Sequence, residues 1–259
     1  MRKPQISVII PALNEAKAIA QVIDRIPAFV HEVIVADNGS TDDTAEIARA
    51  QGARVVAAPE RGYGNACLAG VAAASPQTEI YVFLDGDGSD TPEAMDELVA
   101  PIIQNEADLV IGSRALGTAQ AGALTLPQRF GNWLACFLMT RIWNATYTDL
   151  GPFRAITKDA YDALNMEAPT YGWTVEMQVR AVKQGLKTKD VPMDYFRRVG
   201  KSKISGTVRG VVLAGVYILG TIFVEAFRRP KQNASRPDLQ GAQNDADASV
   251  PAPIKEKAA

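Results

Sequence analysis

Short apolar runs alternate along the chain with segments whose apolar residues recur at helical spacing. The apolar runs have the length of strands, and they lie at residues 6–10, 32–36, 54–58, 80–84 and 109–112. The segments between them have the spacing of helices of about ten to fifteen residues. Strands that alternate with helices in this way predict an α/β fold with a mostly parallel central sheet and helices on both faces.

The fourth run ends in an acidic segment that contains Asp85, Asp87 and Asp90. Open α/β sheets place their ligands at the carboxyl ends of strands, so we expect these carboxylates at a binding site. Like charges held this close repel unless a cation or protons neutralise them, and oxygen ligands suit Mg²⁺ or Mn²⁺. Gly86 and Gly88 leave room for a bulky polyanion. The alternative is an Asx or glycine turn that only caps the next helix.

Polar residues also follow the first two runs: Asn14 and Glu15 after the first, and Asp37 after the second. The first turn lacks the G-x-G-x-x-G of dinucleotide-binding domains, and a Walker lysine is absent. We therefore expect Asn14 and Glu15 to contact a base or ribose, with Asp37 either a further contact or a plain turn residue. Ser40 and Asp43 have capping-box spacing and predict the start of the second helix.

Composition narrows the class of protein. The 259 residues include 27 basic and 29 acidic side chains, a net charge of −2, which argues against a general nucleic-acid binder. Cys67 and Cys136 each have apolar neighbours, so we expect buried free thiols in a reducing cytoplasm. A single histidine, His31, argues against a histidine metal site or a Ser-His-Asp triad. The chain starts directly with a strand pattern, from which we expect no signal peptide.

Several motifs occur in order and resemble those of family 2 glycosyltransferases. They lie at residues 6–15, 37–42, 85–87, 112–114 and 149–154. Residues 172–176 and 200–205 resemble the branch that glycosylates polyprenyl (dolichyl-type) phosphates. The resemblance covers about the first 205 residues and implies a GT-A fold, a nucleotide-sugar donor, a divalent metal and inversion at the anomeric carbon. Ser89 departs from the pattern, because related sequences often have Gln there.

The resemblance also implies roles for individual residues. Those expected to bind the nucleotide sugar are Pro11, Asn14, Glu15, Asp37, Gly64 and Asp85, with Arg61 near them. Asp87 would ligate Mg²⁺ or Mn²⁺ together with Asp85, and the residues given catalytic roles are Asp87, Arg154 and Glu176. In this interpretation Arg154 binds a phosphate of the acceptor or donor, and Glu176 organises the site from a helix.

Basic residues in the second half of the chain suggest a phosphate-bearing acceptor. Those expected to bind it are Arg114, Arg129, Arg197, Lys201 and Lys203, the last three in a run that also contains Arg198. A phosphate monoester is already ionised at neutral pH and needs no general base. Two alternatives remain: the run is a solvated loop, or the acceptor is a hydroxyl and Asp149 or Glu176 acts as its base.

Two apolar stretches lie outside the strand pattern, at residues 130–140 and 210–224. The first lies between Arg129 and Arg141 and would be ordinary as a plain buried helix. The second has about fifteen uncharged residues, fewer than the roughly 20 that a spanning helix needs. We expect a helix that lies in the membrane interface, or alternatively a dimer contact.

The expected organisation is a GT-A domain at 1–205, a membrane-interface apolar helix at 206–229 and a disordered tail at 230–259. The expected enzyme is cytoplasmic, peripherally attached to the inner face of the cell membrane, and transfers sugar to a polyprenyl phosphate. The donor would resemble UDP-glucose or GDP-mannose. The alternatives are transfer to a saccharide or small-molecule hydroxyl, and a nucleotide-sugar-binding protein without turnover.

Overall fold

The computed structural model of the chain describes residues 3–200 and 208–228. Its strands form one sheet in the order β3-β2-β1-β4-β6-β5-β7. They are β1 Ile6–Ala12, β2 Glu32–Asp37, β3 Arg54–Ala57, β4 Ile80–Phe83, β5 Leu109–Ser113, β6 Arg154–Thr157 and β7 Thr188–Pro192. β6 runs antiparallel to β4 and β5, and the other pairs are parallel. The predicted α/β fold with a mostly parallel sheet is therefore confirmed.

Eight α-helices connect or flank these strands within the described residues. They are α1 Ile19–Asp24, α2 Thr44–Ala50, α3 Tyr63–Ala73, α4 Met95–Ile103, α5 Leu126–Trp143, α6 Lys158–Leu164, α7 Trp173–Lys183 and α8 Val208–Phe227. A short 3-10 turn, Pro92–Ala94, precedes α4.

The sheet has a hydrophobic core on each face because its central strands are buried on both sides. Along β1, Val8 and Ile10 belong to one core with α1 and α4, whereas Ile9 between them belongs to the other with α3 and α7. Side chains alternate between the faces of a strand, so a continuous apolar run is what two covered faces require. Cys67 and Cys136 lie buried and unpaired in the second core, as expected.

The second helix does not start as predicted. The hydroxyl of Ser40 accepts a hydrogen bond from the main-chain N–H of Asn14 at 2.9 Å, and no side-chain cap is made by Asp43. Asp42 instead accepts from the N–H of Thr44 at 3.2 Å. The capping-box prediction is wrong, because Ser40 joins its loop to the loop after β1 and Asp42, not Ser40 or Asp43, bonds to the first N–H of the helix.

Helices α5 and α8 pack against each other and leave large apolar side chains in solvent. On α5 these form a row: the ring of Trp133 stacks on that of Phe137 with centroids 5.6 Å apart, and the tilted ring of Phe130 lies 5.8 Å from Trp133 on the other side. Among the α8 side chains that the structure describes, the large exposed apolar ones are Leu213, Val216, Tyr217, Leu219, Phe223, Val224 and Phe227. The interpretation of residues 130–140 as a plain buried helix is therefore wrong for one face of α5. None of the helices in the described segments combines the length and apolarity needed to cross a bilayer.

Candidate active site

The acidic segment follows β4, at the carboxyl end of a central strand. Asp87 is 6% exposed, and its Oδ1 accepts hydrogen bonds from the N–H of Ser89 at 2.9 Å and from its hydroxyl at 2.5 Å. Burial and the charge of Asp87 raise the pKa of the Asp85 carboxyl to about 7. The Tyr63 hydroxyl donates to Asp85 Oδ1 at 3.1 Å. The carboxylates repel one another, so the segment favours a bound cation.

A cationic side chain from the basic run reaches this segment. Arg198 contacts Asp87 Oδ2 at 3.3 Å and Glu15 Oε1 at 2.9 Å. The main chain of the basic run also contacts the acidic segment, because the N–H of Val199 donates to the Asp87 carbonyl at 2.9 Å. Its neighbour Arg197 is exposed, and its guanidinium donates instead to the carbonyl of Ala121 at 2.7 Å.

The basic run was thus identified from the sequence, but Arg197 and not Arg198 was expected to bind the acceptor. Neighbouring side chains of an extended segment point to opposite sides, and sequence alone does not tell which side faces the acidic residues. Lys201 and Lys203 lie outside the described residues. Arg129 lies exposed at the start of α5, and its acceptor role stays a prediction.

The residues after β4 offer two carboxylates to a divalent metal but not a complete set of protein ligands. Among the described residues, no group of three or more His, Cys, Asp or Glu side chains is arranged to hold a metal. Asp85 and Asp87 supply two carboxylates, and Mg²⁺-type ions bind through one or two carboxylates while substrate phosphates and water complete their shell. Two neighbouring carboxylates on one short segment match that donor set.

The loops expected to bind the nucleoside are joined by their own polar side chains. Asn14 has a φ of 53°, and its Oδ1 accepts from the N–H of Thr41 at 2.7 Å. Asp37 Oδ1 accepts from the N–H of Ser40 at 3.1 Å. Pro11 lies near the carboxyl end of β1, where it pairs with Ala36 of β2. The roles of Pro11, Asn14 and Asp37 toward a nucleoside stay predictions.

The third loop, residues 58–62, is positioned by a residue that the sequence reasoning missed. Asn38 is buried, and its amide donates to the carbonyls of Ala58 at 2.8 Å and Glu60 at 2.7 Å. Its Oδ1 accepts from the N–H of Gly62 at 2.9 Å. The only sequence feature that points to Asn38 is its place in the Asp-Asn-Gly segment, and that segment is equally typical of a plain turn.

The glycines of this loop are needed for close packing. A Cβ on Gly64 would lie 1.9 Å from the carbonyl oxygen of Ala168, and a Cβ on Gly62 would lie 2.2 Å from that of Pro169. Gly62 also has a φ of 141°, a region that side chains disfavour. The loop before α3 is therefore fixed against residues 168–169 and holds Tyr63 beside Asp85.

Arg114 and Asp149 form a buried ion pair beside the acidic segment. Asp149 is 1% exposed and accepts from the main-chain N–H of Arg114 at 2.7 Å, from Nε at 2.8 Å and from Nη2 at 2.7 Å. The Arg114 guanidinium also lies over the ring of Tyr195, 5.0 Å from its centroid. With both oxygens engaged, Asp149 is a poor general base.

Asp149→Asn is expected to lower stability rather than to produce a rate loss that follows a missing base. Removing the charge leaves the Arg114 guanidinium buried without its counter-ion, at a cost of about 3 kcal/mol. Chemical denaturation measures this, with Asp162→Asn on the exposed Lys158 pair as the control, expected within about 0.5 kcal/mol of wild type. A folded variant of wild-type stability whose rate deficit is largest at high pH and shrinks at low pH, where a general base is already protonated in the wild type, would restore Asp149 as a base.

Arg154 and Glu176, predicted as catalytic, both lie in the interior. Arg154 is fully buried on β6, and its guanidinium donates to the carbonyls of Leu150 and Thr174 at 3.1 and 3.0 Å. Glu176, on α7, is 3% exposed and pairs with Arg180 at 2.6 Å. Burial raises the pKa of the Glu176 carboxyl. These contacts are those of residues that hold the protein's own main chain, and they lend no support to phosphate binding by Arg154.

Comparison with known proteins agrees with the motifs. A family model described as glycosyl transferase family 2 matches residues 7–164. An uncharacterized glycosyltransferase of Mycobacterium tuberculosis (strain ATCC 25618 / H37Rv) is 35% identical over 212 residues, which cover 81% of this chain and 94% of the relative. A dolichyl-phosphate hexose transferase of Haloferax volcanii is 32% identical over 217 residues, 80% of this chain and 90% of the relative.

A solved structure extends the likeness to the fold. Glucosyl-3-phosphoglycerate synthase from Mycobacterium tuberculosis, in complex with Mn²⁺, uridine-diphosphate and glucosyl-3-phosphoglycerate, has a TM-score of 0.70 and 26% identity. The match covers 86% of this chain and 80% of that one. The fold is GT-A-like, and the chain belongs to glycosyl transferase family 2 and is a glycosyltransferase.

Proposed function

We propose that this enzyme transfers a sugar, with inversion, from a nucleotide-sugar donor to a polyprenyl phosphate, and that it requires Mg²⁺ or Mn²⁺. The observation that carries the proposal is the contact between the guanidinium of Arg198 and Asp87, two residues from Asp85, at the end of β4. Carboxylates for a metal and an arginine for phosphate oxygens, side by side, are suited to a substrate that carries phosphates.

The donor side is proposed from the loops around β1, β2 and β3. The glucosyl-3-phosphoglycerate synthase that shares this fold was crystallised with Mn²⁺ and uridine-diphosphate. In this chain Asp85 and Asp87 would hold the metal, which when bound stabilises the negative charge that develops on the departing nucleoside diphosphate. Asp37 and Glu15 would contact the nucleoside. Arg198, released from Asp87, would screen phosphate charge.

A phosphate acceptor is proposed because the two carboxylates that could serve as a general base, Asp149 and Glu176, are held in ion pairs. A hydroxyl acceptor requires a general base within hydrogen-bond reach, but Asp149 is engaged by Arg114 and Glu176 by Arg180. An ionised phosphate is already a nucleophile and needs only positioning and charge screening. Arg198 and Arg114 supply that charge, and the Haloferax volcanii relative is named as a transferase that acts on dolichyl phosphate.

Membrane contact is proposed for the exposed apolar faces of α5 and α8. Trp133 and Phe137 on α5, and Phe223 and Phe227 on α8, are between 44% and 75% exposed. Exposed apolar faces of several large side chains mark an interaction surface, and an apolar helix face can insert into the headgroup–acyl boundary of a bilayer. A lipid phosphate would then be presented at the height of the site.

A second candidate is a soluble phosphorylated acceptor. The glucosyl-3-phosphoglycerate synthase that shares the fold was also crystallised with UDP-glucose and phosphoglyceric acid. The same arginines suit the phosphate of either acceptor. The two candidates therefore differ in where the nucleophilic oxygen lies, on the phosphate itself or on a hydroxyl beside it.

A donor-by-acceptor screen tests the proposal. UDP-glucose and GDP-mannose are each incubated with Mn²⁺ and either polyprenyl phosphate in detergent, 3-phosphoglycerate or no acceptor, and the released nucleoside diphosphate is measured. The expected result is release that depends on polyprenyl phosphate. Release that depends on 3-phosphoglycerate alone would favour the second candidate, and binding without release in any combination would contradict both.

A further inference from the structure

A cluster of charged side chains lies between α7 and α8, apart from the acidic segment. Arg180 contacts Glu176 at 2.6 Å and Glu225 at 3.0 Å, and all three side chains are at most 8% exposed. Lys183 contacts Glu225 at 3.3 Å and donates to the carbonyl of Arg228 at 2.6 Å. Breaking a buried ion pair on one side is costly because the other charge is left unpaired. The cluster therefore fixes α8 against α7.

The same cluster holds the loop that precedes α7. The second carboxylate oxygen of Glu176 accepts from the N–H of Glu167 at 3.0 Å and of Ala168 at 2.8 Å. Arg180 donates to the carbonyl of Leu164 at 3.1 Å. The position of residues 164–168 thus depends on side chains that α8 helps to orient.

That loop in turn packs against the segment at residues 61–65, here called the donor-side loop. The N–H of Asn65 donates to the carbonyl of Pro169 at 3.0 Å. Gly64 approaches Ala168 too closely for any side chain to fit between them. Tyr63, between these contacts, donates to Asp85. Because interiors are close-packed, a shift of residues 168–169 is transmitted to Tyr63 and Asp85.

A second contact brings α8 to the start of α7. A Cβ on Gly172 would lie 2.1 Å from Oγ1 of Thr221. The Thr221 hydroxyl donates to the carbonyl of Tyr217 within α8, so this oxygen is held in place. Helix α8 thus presses directly on the residue that follows the loop.

We propose that α8 is a positioning element for the donor site: through Glu225, Arg180 and Glu176 it sets the loop at 164–169 and thereby the donor-side loop around Tyr63. Glu176 is then a positioning residue rather than one that touches substrate. This role uses the buried face of α8, the opposite of the face proposed for membrane contact. It rests on the proposed function only in assigning residues 61–65 to the donor.

The first test introduces a steric clash between α7 and α8 and then relieves it with a second substitution. Gly172→Ala should displace α8 from the start of α7, and Thr221→Ala added to it should relieve the clash. Amide hydrogen exchange is read at Asn65, Glu167 and Ala168, and binding of UDP and of GDP with Mn²⁺ is measured by calorimetry. In Gly172→Ala these amides should exchange at least tenfold faster and the nucleoside diphosphate that the wild type binds should bind at least fivefold more weakly. The double variant should return toward wild type in both.

A second variant carries the same test without a steric change. Glu225→Gln keeps the shape of the side chain and removes its charge, so it should speed exchange at the same amides. Val224→Ala, on the exposed face of the same helix, is the matched control and should alter neither measurement.

Two results would overturn the proposal. One is faster exchange confined to α7 and α8, with Asn65 unchanged. The other is a lower melting temperature with unchanged nucleotide affinity, which is what a merely structural contact produces. The exchange readout needs no acceptor or donor, so failure of lipid-phosphate transfer in the screen above would leave this test intact.

Discussion

Asp87→Asn is expected to lower sugar transfer by about a thousandfold or more while the protein stays folded. A metal that stabilises the leaving diphosphate supplies several kcal/mol, and each 1.36 kcal/mol corresponds to about a factor of ten in rate. An amide in place of the carboxylate keeps the shape of Asp87 and removes the charge that binds the cation. The hydroxyl and N–H of Ser89, which donate to Asp87 Oδ1, can donate to the amide oxygen as well.

The measurement is the initial rate of nucleoside diphosphate release, with circular dichroism to verify the fold. Asp96→Asn, an exposed carboxylate on α4, is the matched control and should leave the rate within about twofold of wild type. EDTA should reduce the wild type to the level of Asp87→Asn, and added Mn²⁺ should restore only the wild type. Full activity in the variant, or indifference of the wild type to EDTA, would remove the metal from the proposal.

Much of the fold could be predicted because its first half has regular periodicity. The central strands β1, β4 and β5 are buried on both faces, so they appear as unbroken apolar runs that are easy to recognise. β6 and β7 did not stand out. β6 is four residues long and begins with the charged Arg154, and β7 contains a lysine and an aspartate and is only partly buried. Their positions depend on pairing with distant strands, which local pattern does not encode.

The site was predictable where a residue's place follows from a strand end. Asp85 and Asp87 come directly after β4, and the structure places them together with Glu15 from the end of β1 through Arg198. Residues whose place is set by tertiary contact are harder to assign from the sequence. Asn38 holds a loop from 20 residues away, and Arg154 points into the interior. Residue type alone does not distinguish an arginine that binds phosphate from one that binds carbonyl groups.

The apolar segments illustrate the same limit. Residue type allowed a plain buried helix for residues 130–140 and favoured a membrane-interface helix for residues 210–224, although both stretches are rich in large apolar side chains. Packing decides the matter: Ala135, Cys136 and Met139 face inward on α5, while the aromatic row faces outward. Which face of each helix remains exposed depends on the tertiary contacts among α5, α7 and α8.

Replacement of Val216, Phe223 and Phe227 by serine should weaken binding to vesicles by at least about a hundredfold. These side chains are 61%, 67% and 75% exposed, and Phe223 packs on Phe227 with ring centroids 4.9 Å apart. Full burial of one large apolar side chain contributes about 1.5–3 kcal/mol, so partial insertion of three contributes about 3 kcal/mol or more. Since about 1.4 kcal/mol is a tenfold change in affinity, the loss is two orders of magnitude.

The measurement is co-sedimentation with vesicles that contain anionic lipid, together with transfer to vesicle-borne polyprenyl phosphate. Ile103→Ser is the matched control, because Ile103 is 51% exposed but lies at the end of α4. Transfer should fall in the triple variant in proportion to vesicle binding, whereas nucleoside diphosphate affinity should stay within about twofold of wild type, since the buried face of α8 is untouched. Unchanged vesicle binding would contradict the membrane role, and a wild-type dimer that the substitutions convert to a monomer would assign this face to a second copy of the chain instead.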